Sequence, residues 1–162
     1  DDIVIDAPGR IEAVARAVIM ACDVVVIPVQ PSPYDIWASG DVLSLIEQSQ
    51  VYKPELSAVW AINRRIVGTS IGRDINKQLR DLGPRLLEAT VAQRVIFSES
   101  AARGLAVYEA DPGGVAAAEI EAATTEVKAT AAKEPTGITT RVPVCGAGTQ
   151  RPQNGAQKHP FR

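Results

Sequence analysis

Apolar residues follow two alternating patterns over positions 1–134 of the chain. Short continuous runs rich in Val and Ile are typical of strands buried on both faces of a parallel sheet, whereas apolar positions three and four residues apart are typical of amphipathic helices. The runs predict strands at 2–7, 23–29, 56–63 and 86–91, with a short edge strand at 106–109. The spaced positions predict helices at 10–21, 36–51, 71–82, 97–103 and 113–133.

This alternation predicts an α/β protein with a doubly wound, mostly parallel sheet and right-handed crossovers. Ligands bind such sheets at the carboxyl ends of the strands. The first predicted strand reaches Asp6 just before Pro8-Gly9, so a carboxylate stands where chemistry is expected. We therefore expect Asp6, the turn after Val29 and Asn63 to lie at one edge of the sheet. An Asp before Pro-Gly is also a common turn former.

Composition favours one globular domain. The chain has 162 residues, 46% of them hydrophobic and only 4% aromatic, so the core must be built from aliphatic side chains. No apolar run approaches the roughly 20 residues that span a bilayer. The two cysteines, Cys22 and Cys145, form neither a disulfide framework nor a metal motif. A cytoplasmic protein without membrane attachment is the expectation.

The character of the chain changes after Glu134. Residues 136–162 contain seven Gly or Pro residues, and from Pro135 onward there are four basic residues and no acid. The remaining 13 basic residues face all 19 acids, so residues 1–134 carry a formal charge of −6. We predict a folded domain at 1–134 and a flexible, dispensable basic tail at 135–162.

Three segments, in order and at family-like spacing, resemble the ParA family of partition ATPases, most closely its short plasmid-type members. They are Ile3-Val4-Ile5-Asp6-Ala7-Pro8, then residues 26–35 (VIPVQPSPYD), then Ile62-Asn63-Arg64. A fourth segment, 90–94 (TVAQR) followed by Ser98, Ala101 and Gly104, is similar to a further family segment. The resemblance runs from Asp2 to about Val127.

The resemblance implies a P-loop NTPase-like fold that is incomplete at the N-terminus, and a deviant Walker ATPase that uses ATP and Mg2+. It implies a homodimer that forms with ATP bound and then binds DNA nonspecifically on the nucleoid. A DNA-bound centromere-binding partition protein would stimulate hydrolysis, and the cycle would distribute plasmids or chromosomes.

The resemblance also implies roles for individual residues. Asp6 corresponds to the Walker B aspartate, a catalytic acid that acts on Mg2+ through its water shell. The expected nucleotide contacts are Pro8 and Gly9 at the γ-phosphate, Asn63 and Arg64 at the adenine, and Gln93 and Arg94 on the loop that closes over the base. The residues expected near the subunit contact are Pro28, Pro31 and Pro33.

The chain departs from the family pattern in two places that bear on activity. Gly9 stands where the family has a second proline, and the phosphate-binding motif G-x-x-x-x-G-K-[ST] occurs nowhere in the sequence. That loop supplies the backbone N–H groups and the lysine that neutralise the phosphates. We therefore predict that the chain alone does not hydrolyse ATP.

Other interpretations stay open at this point. Asn63 could serve only as a cap or turn residue, and the group Arg64, Arg65 and Arg73 could be either a DNA-facing patch or a solvated surface. The alternative function is a non-catalytic scaffold that binds DNA or a partition partner. A phosphoacceptor receiver domain is disfavoured, because Lys53 follows a helix instead of a strand.

Overall fold

The computed structural model describes residues 2–7, 12–67 and 71–132. Within these ranges the chain forms a three-stranded parallel sheet in the order β1-β2-β3. Its strands are β1 (Val24–Val29), β2 (Ser57–Arg65) and β3 (Arg85–Ala92). The predicted α/β class with a parallel sheet is confirmed.

Helices connect and follow the strands. They are α1 (Glu12–Ala21), α2 (Pro33–Ala38), α3 (Gly40–Gln50), α4 (Ile71–Asp81), α5 (Val95–Ala102), α6 (Val107–Ala110) and α7 (Val115–Ala131). Gly83, with φ 103°, follows α4 in the left-handed region, where glycine commonly ends a helix. Across the described residues, no helix combines the length and the apolar character needed to cross a membrane.

Helices cover both faces of the sheet. The register pairs Ile27 with Trp60 and Val29 with Ile62, and these four residues form one core with buried residues of α1 to α4. Trp60 is completely buried at its centre. Val59 points to the opposite face because side chains alternate along a strand. That face packs against α7, where Ala116 and Ala117 are buried.

The outer edge of β3 is closed by α7. Trp60 pairs with Leu86 and Ile62 with Thr90, so four residues of β3 oppose two of β2 and the strand bulges. The Glu126 carboxylate accepts hydrogen bonds from the backbone N–H groups of Glu88 (2.9 Å) and Ala89 (2.7 Å). A bulge and a covering helix both prevent a further strand from pairing at this edge.

The outer edge of β1 is different. The Ser57 amide donates to the Asp23 carbonyl (3.0 Å), so backbone groups of alternate residues from Asp23 to Val29 point toward β2. Those of Val24 and Val26 point away, and Pro28 on the same side has no N–H to donate. No strand among the described residues pairs with this edge.

The predicted strand at 2–7 is wrong. These residues have no regular secondary structure, and the side chains of Ile3 and Val4 are 87% and 94% exposed. The Asp2 carboxylate forms an ion pair with Lys128 of α7 (2.6 Å). An apolar run becomes a strand only where a neighbour pairs its backbone, and none of the described strands lies beside this one.

Two further elements differ in kind from the prediction. The helix predicted at 36–51 is two helices, and the first begins earlier because Ser32 caps it and Pro33 takes its first turn. The edge strand predicted at 106–109 is instead the short helix α6. Its first turn is fixed locally, because the Ala106 amide donates to the Glu109 carboxylate (2.7 Å). The tail at 135–162 lies outside the described residues.

Paired substitutions of isoleucine test this core. Ile46 is 1% exposed and Ile3 is 87% exposed. We expect Ile46→Ala to lower the free energy of unfolding by about 2–5 kcal/mol and Ile3→Ala by less than about 0.5 kcal/mol, because only the first leaves a cavity. Urea unfolding measures both. An equal loss for Ile3→Ala would mean that residues 2–7 belong to the core.

Candidate functional site

The ends of the three strands bring polar residues to the carboxyl edge of the sheet. Gln30 follows β1, Asn63 and Arg64 lie near the end of β2, and Gln93 follows β3. Because the strands are parallel, all three ends meet at one edge, which is the predicted place for a ligand. The joint placement of the turn after Val29 and of Asn63 is confirmed.

Of the residues expected to handle Mg2+ and the γ-phosphate, Asp6 is the one that lies within the described residues. Asp6 lies in the exposed residues 2–7, outside the sheet, so its predicted position at a strand end is wrong for the structure described. Pro8 and Gly9 lie outside the described residues. In the described part of the chain, no group of three or more His, Cys, Asp or Glu residues is arranged to hold a metal ion.

A polar cavity of about 250 Å3 lies between the ends of β1 and β2, and it is lined by Pro28, Val29, Gln30, Asp35, Asn63 and Arg64. The Asp35 carboxylate accepts a hydrogen bond from the Gln30 amide (2.9 Å) and so holds the turn after β1. The Asn63 side-chain oxygen accepts one from the Arg64 amide (2.8 Å). Asn63 thus makes a local contact with its neighbour near the end of β2 and also lines the cavity.

Arg64 has an unusual backbone conformation. Its φ of 52° lies in the left-handed region, which a side chain other than glycine adopts at a cost in free energy. The side chain is exposed at the rim of the polar cavity. Strained residues of this kind cluster at functional sites, so the position supports a binding role at this cavity.

A second cavity, here called the base groove, lies beyond the ends of β2 and β3. It is about 560 Å3 in volume and is lined by Ile66, Val67, Gln93, Arg94, Val95 and Ser98. Its walls are mainly apolar, with Gln93 and Ser98 as neutral polar groups. The residues expected at the adenine thus divide between two cavities, with Asn63 and Arg64 in one and Gln93 and Arg94 in the other.

Arg94 is held by Glu119 of α7, a residue that the sequence analysis did not select. The Arg94 Nε and Nη2 atoms donate to the two carboxylate oxygens of Glu119 at 3.1 and 2.8 Å. The hydrogen bond from Arg94 holds the pKa of Glu119 below its ordinary value, and burial opposes this shift. The same bond raises the pKa of Arg94. The seven-residue spacing of Glu119 and Glu126 on one helix was the available sequence signal.

Further hydrogen bonds fix the frame of the base groove. The backbone N–H of Gln93 donates to the backbone carbonyl of Arg65 (3.0 Å), and Arg65 Nε donates to the Thr90 hydroxyl (2.9 Å). The ends of β2 and β3 are therefore tied together beyond their regular pairing. A largely apolar groove with a few neutral polar groups suits a flat, uncharged ring more than a phosphate.

The proline segment lies beside the polar cavity and exposes aromatic surface. Pro28 and Pro33 are exposed and Pro31 is half-buried. Tyr34 and Trp37 form an edge-to-face pair with ring centroids 5.5 Å apart, and both side chains are about three-quarters exposed. Exposed aromatic pairs are characteristic of contact surfaces.

A comparison with known proteins gives one informative match. A scan against protein-family models finds no match. The chain is 30% identical over 120 residues to a curated protein of Halothiobacillus neapolitanus named "Maintenance of carboxysome distribution protein A". The matched region covers 74% of this chain and 56% of that protein, so the chain spans just over half of its relative.

That relative is named for the distribution of carboxysomes, and the family that the sequence resembles is one of partition ATPases. The three-stranded parallel sheet with its helices is compatible with a P-loop NTPase-like architecture.

Proposed function

We propose that this chain is part of a ParA-like ATPase that positions a large cargo in the cell, such as a plasmid or chromosome. The observation that carries the proposal is the 120-residue similarity to a protein named for the distribution of carboxysomes. The parallel sheet, which gathers polar residues at its carboxyl edge, supports a nucleotide site there. The complete protein would act in the cytoplasm, on the nucleoid.

In this proposal the base of ATP binds near the base groove, with Gln93 as its polar wall and Asn63 at the neighbouring cavity. Asp6 would hold Mg2+ through water, since a carboxylate oxygen is a ligand that Mg2+ prefers. Pro8 and Gly9 would approach the γ-phosphate. One carboxylate does not build a complete metal site, so the phosphates and further protein groups must supply the other ligands.

The outer edge of β1 supports the addition of a strand–loop–helix unit that carries the phosphate-binding lysines. The edge of β3 is closed by α7, whereas Val24 and Val26 offer backbone groups to a new neighbour. Pro28 offers no N–H, so regular pairing would end just before it. A loop that follows such a strand would emerge at the carboxyl edge, beside the polar cavity.

Hydrolysis tests the proposed division between base and phosphate sites. We expect the 162-residue chain to show no measurable ATP turnover and only weak ATP binding, because phosphoryl transfer depends on positioning and charge neutralisation. Joining an upstream strand–loop–helix with the family's lysines should restore magnesium-dependent ATP binding and raise stability. Asp6→Ala in the joined protein should abolish turnover, as measured by phosphate release.

The matched control for this experiment is Asp2→Ala, which removes a carboxylate from the same segment with no proposed role at Mg2+. It should leave turnover intact. Turnover by the unjoined chain that persists in Asp6→Ala would contradict the proposed roles. A joined protein that binds no ATP would favour the non-catalytic scaffold.

Self-association is proposed through the proline segment, with Pro28, Pro31 and Pro33 near the contact between two copies. The exposed pair of Tyr34 and Trp37 gives this surface the aromatic character that contact sites favour. The homodimer would form with ATP bound, bind DNA nonspecifically and respond to a centromere-binding partner.

We expect Trp37→Ala in the joined protein to weaken ATP-dependent dimerisation at least tenfold without lowering the unfolding midpoint, because the ring is 73% exposed. Sedimentation velocity measures the dimer. Tyr52→Ala removes another exposed ring, 82% exposed and away from the proline segment, and should leave dimerisation unchanged. Equal effects of both variants would argue against this surface.

A further inference from the structure

We propose that Glu119 is a positioning residue for the base groove and that Arg94, held by Glu119, is a structural partner and not a ligand-binding cation. The inference rests on the proposed nucleotide function. It narrows the ligand of the groove to an uncharged heteroaromatic ring, that is, to the base end of a nucleotide.

The first observation is that the hydrogen-bonding capacity of Glu119 is directed at one short segment. Its carboxylate accepts from the Ala92 amide (3.1 Å) and from two nitrogens of Arg94 (3.1 and 2.8 Å). The Glu119 side chain is only 15% exposed. Paired, charge-assisted hydrogen bonds of this kind fix orientation as well as contributing energy.

Second, the hydrogen bonds that Glu119 accepts from Ala92 and Arg94 act at the turn between β3 and α5. Ala92 ends β3, and Arg94 directly precedes α5, whose residues Val95 and Ser98 line the base groove. Between them, the Gln93 amide is held from the other side by the Arg65 carbonyl (3.0 Å). Glu119 therefore sets both the turn that presents Gln93 and the point at which α5 begins.

The third observation concerns charge. A guanidinium without a partner at the rim of the groove would attract a phosphate group. Because the Arg94 guanidinium is paired with the Glu119 carboxylate, its charge is compensated within the protein. The groove then presents apolar side chains with neutral polar groups, a combination that favours a base over a phosphate.

Glu126 provides a matched control on the same helix. Its carboxylate also accepts two backbone N–H groups of β3, from Glu88 and Ala89, and it forms an ion pair with Arg85 (3.5 Å). It acts at the first and middle residues of β3, whereas the base groove lies beyond the end of that strand. Removing its charge disturbs the contact of α7 with the sheet but not the groove.

The experiment is an NMR titration of the 162-residue chain with adenosine at millimolar concentration. We expect saturable shifts of the Gln93 and Val95 amides, a loss of affinity of at least tenfold in Glu119→Gln, and a change of less than twofold in Glu126→Gln. Arg94→Lys keeps the charge but loses the paired geometry. The affinity of Arg94→Lys for adenosine should fall between those of the two glutamate variants. This variant tests the proposal if Glu119→Gln does not fold.

Inorganic phosphate is the second probe. Phosphate should cause no shift at Gln93 in the unchanged chain, and it should cause one in Glu119→Gln, where the Arg94 guanidinium is released. A general loss of stability would not produce a new affinity for phosphate.

The stabilisation that the pair of Glu119 and Arg94 contributes to the folded chain should depend on pH in a defined direction. Hydrogen bonding from Arg94 lowers the pKa of Glu119 in the folded chain. The contribution of the ionised Glu119 carboxylate to the free energy of unfolding is therefore complete above the ordinary glutamate pKa of about 4.3. It is lost as the pH falls through the lower pKa of the folded state. The difference in unfolding free energy between the unchanged chain and Glu119→Gln should therefore be constant near pH 7 and shrink below about pH 4.

The outcomes separate this inference from the proposed function. Adenosine binding that survives in Glu119→Gln, or that falls equally in both glutamate variants, would overturn the positioning role and leave the nucleotide proposal standing. An unchanged chain that does not respond to adenosine would overturn the base groove itself, and this inference with it.

Discussion

The backbone groups at the two outer edges of the sheet set the main constraint on this molecule. Each edge strand has N–H and C=O groups that need partners, and the chain treats its two edges differently. At β3, the carboxylates of Glu119 and Glu126 accept hydrogen bonds from backbone N–H groups, and a bulge interrupts the strand. At β1 the groups of Val24 and Val26 face away from the sheet. The helix α7 thus determines the direction in which the sheet can grow.

The same helix connects the fold to the site. Its first half holds the end of β3 through Glu119, next to the base groove, and its second half holds the middle of β3 through Glu126. Two carboxylates seven residues apart lie on one side of a helix, two turns apart. A structural solution to an exposed strand edge therefore also fixes the turn on which the proposed base contact depends.

The sequence predicted the α/β class because the runs at 24–29 and 57–65 are rich in apolar, β-branched residues, which local composition records well. Burial on both faces is found at 58–62 of β2, whereas Val26 and Pro28 of β1 are exposed. The run at 2–7 has the same composition, yet it is not a strand, because strand formation depends on a partner that local composition does not specify. At 106–109 a local bond between Ala106 and Glu109 decided the structure instead.

The candidate site likewise has one feature that the sequence predicts and one that it does not. The topology alone predicted that the turn after Val29 and Asn63 would share an edge. The pairing of Arg94 with Glu119 joins residues 25 positions apart, and no local pattern predicts it. A family resemblance transfers positions along the chain, but it does not say which neighbours a side chain has. In our proposal, this neighbour changes the expected role of Arg94 from contact to support.

The arginines at the carboxyl edge lead to a last conclusion about how the proposed nucleotide site is built. Arg65 donates to the Thr90 hydroxyl and Arg94 is paired with Glu119, so two cations near the strand ends have protein partners. In the proposed site, the charge needed to neutralise a triphosphate would then come from Arg64, which is exposed at the polar cavity, and from other parts of the protein. In our proposal, this part of the chain holds the base, and the edge of β1 that no described strand pairs with is where a phosphate-binding unit would join it.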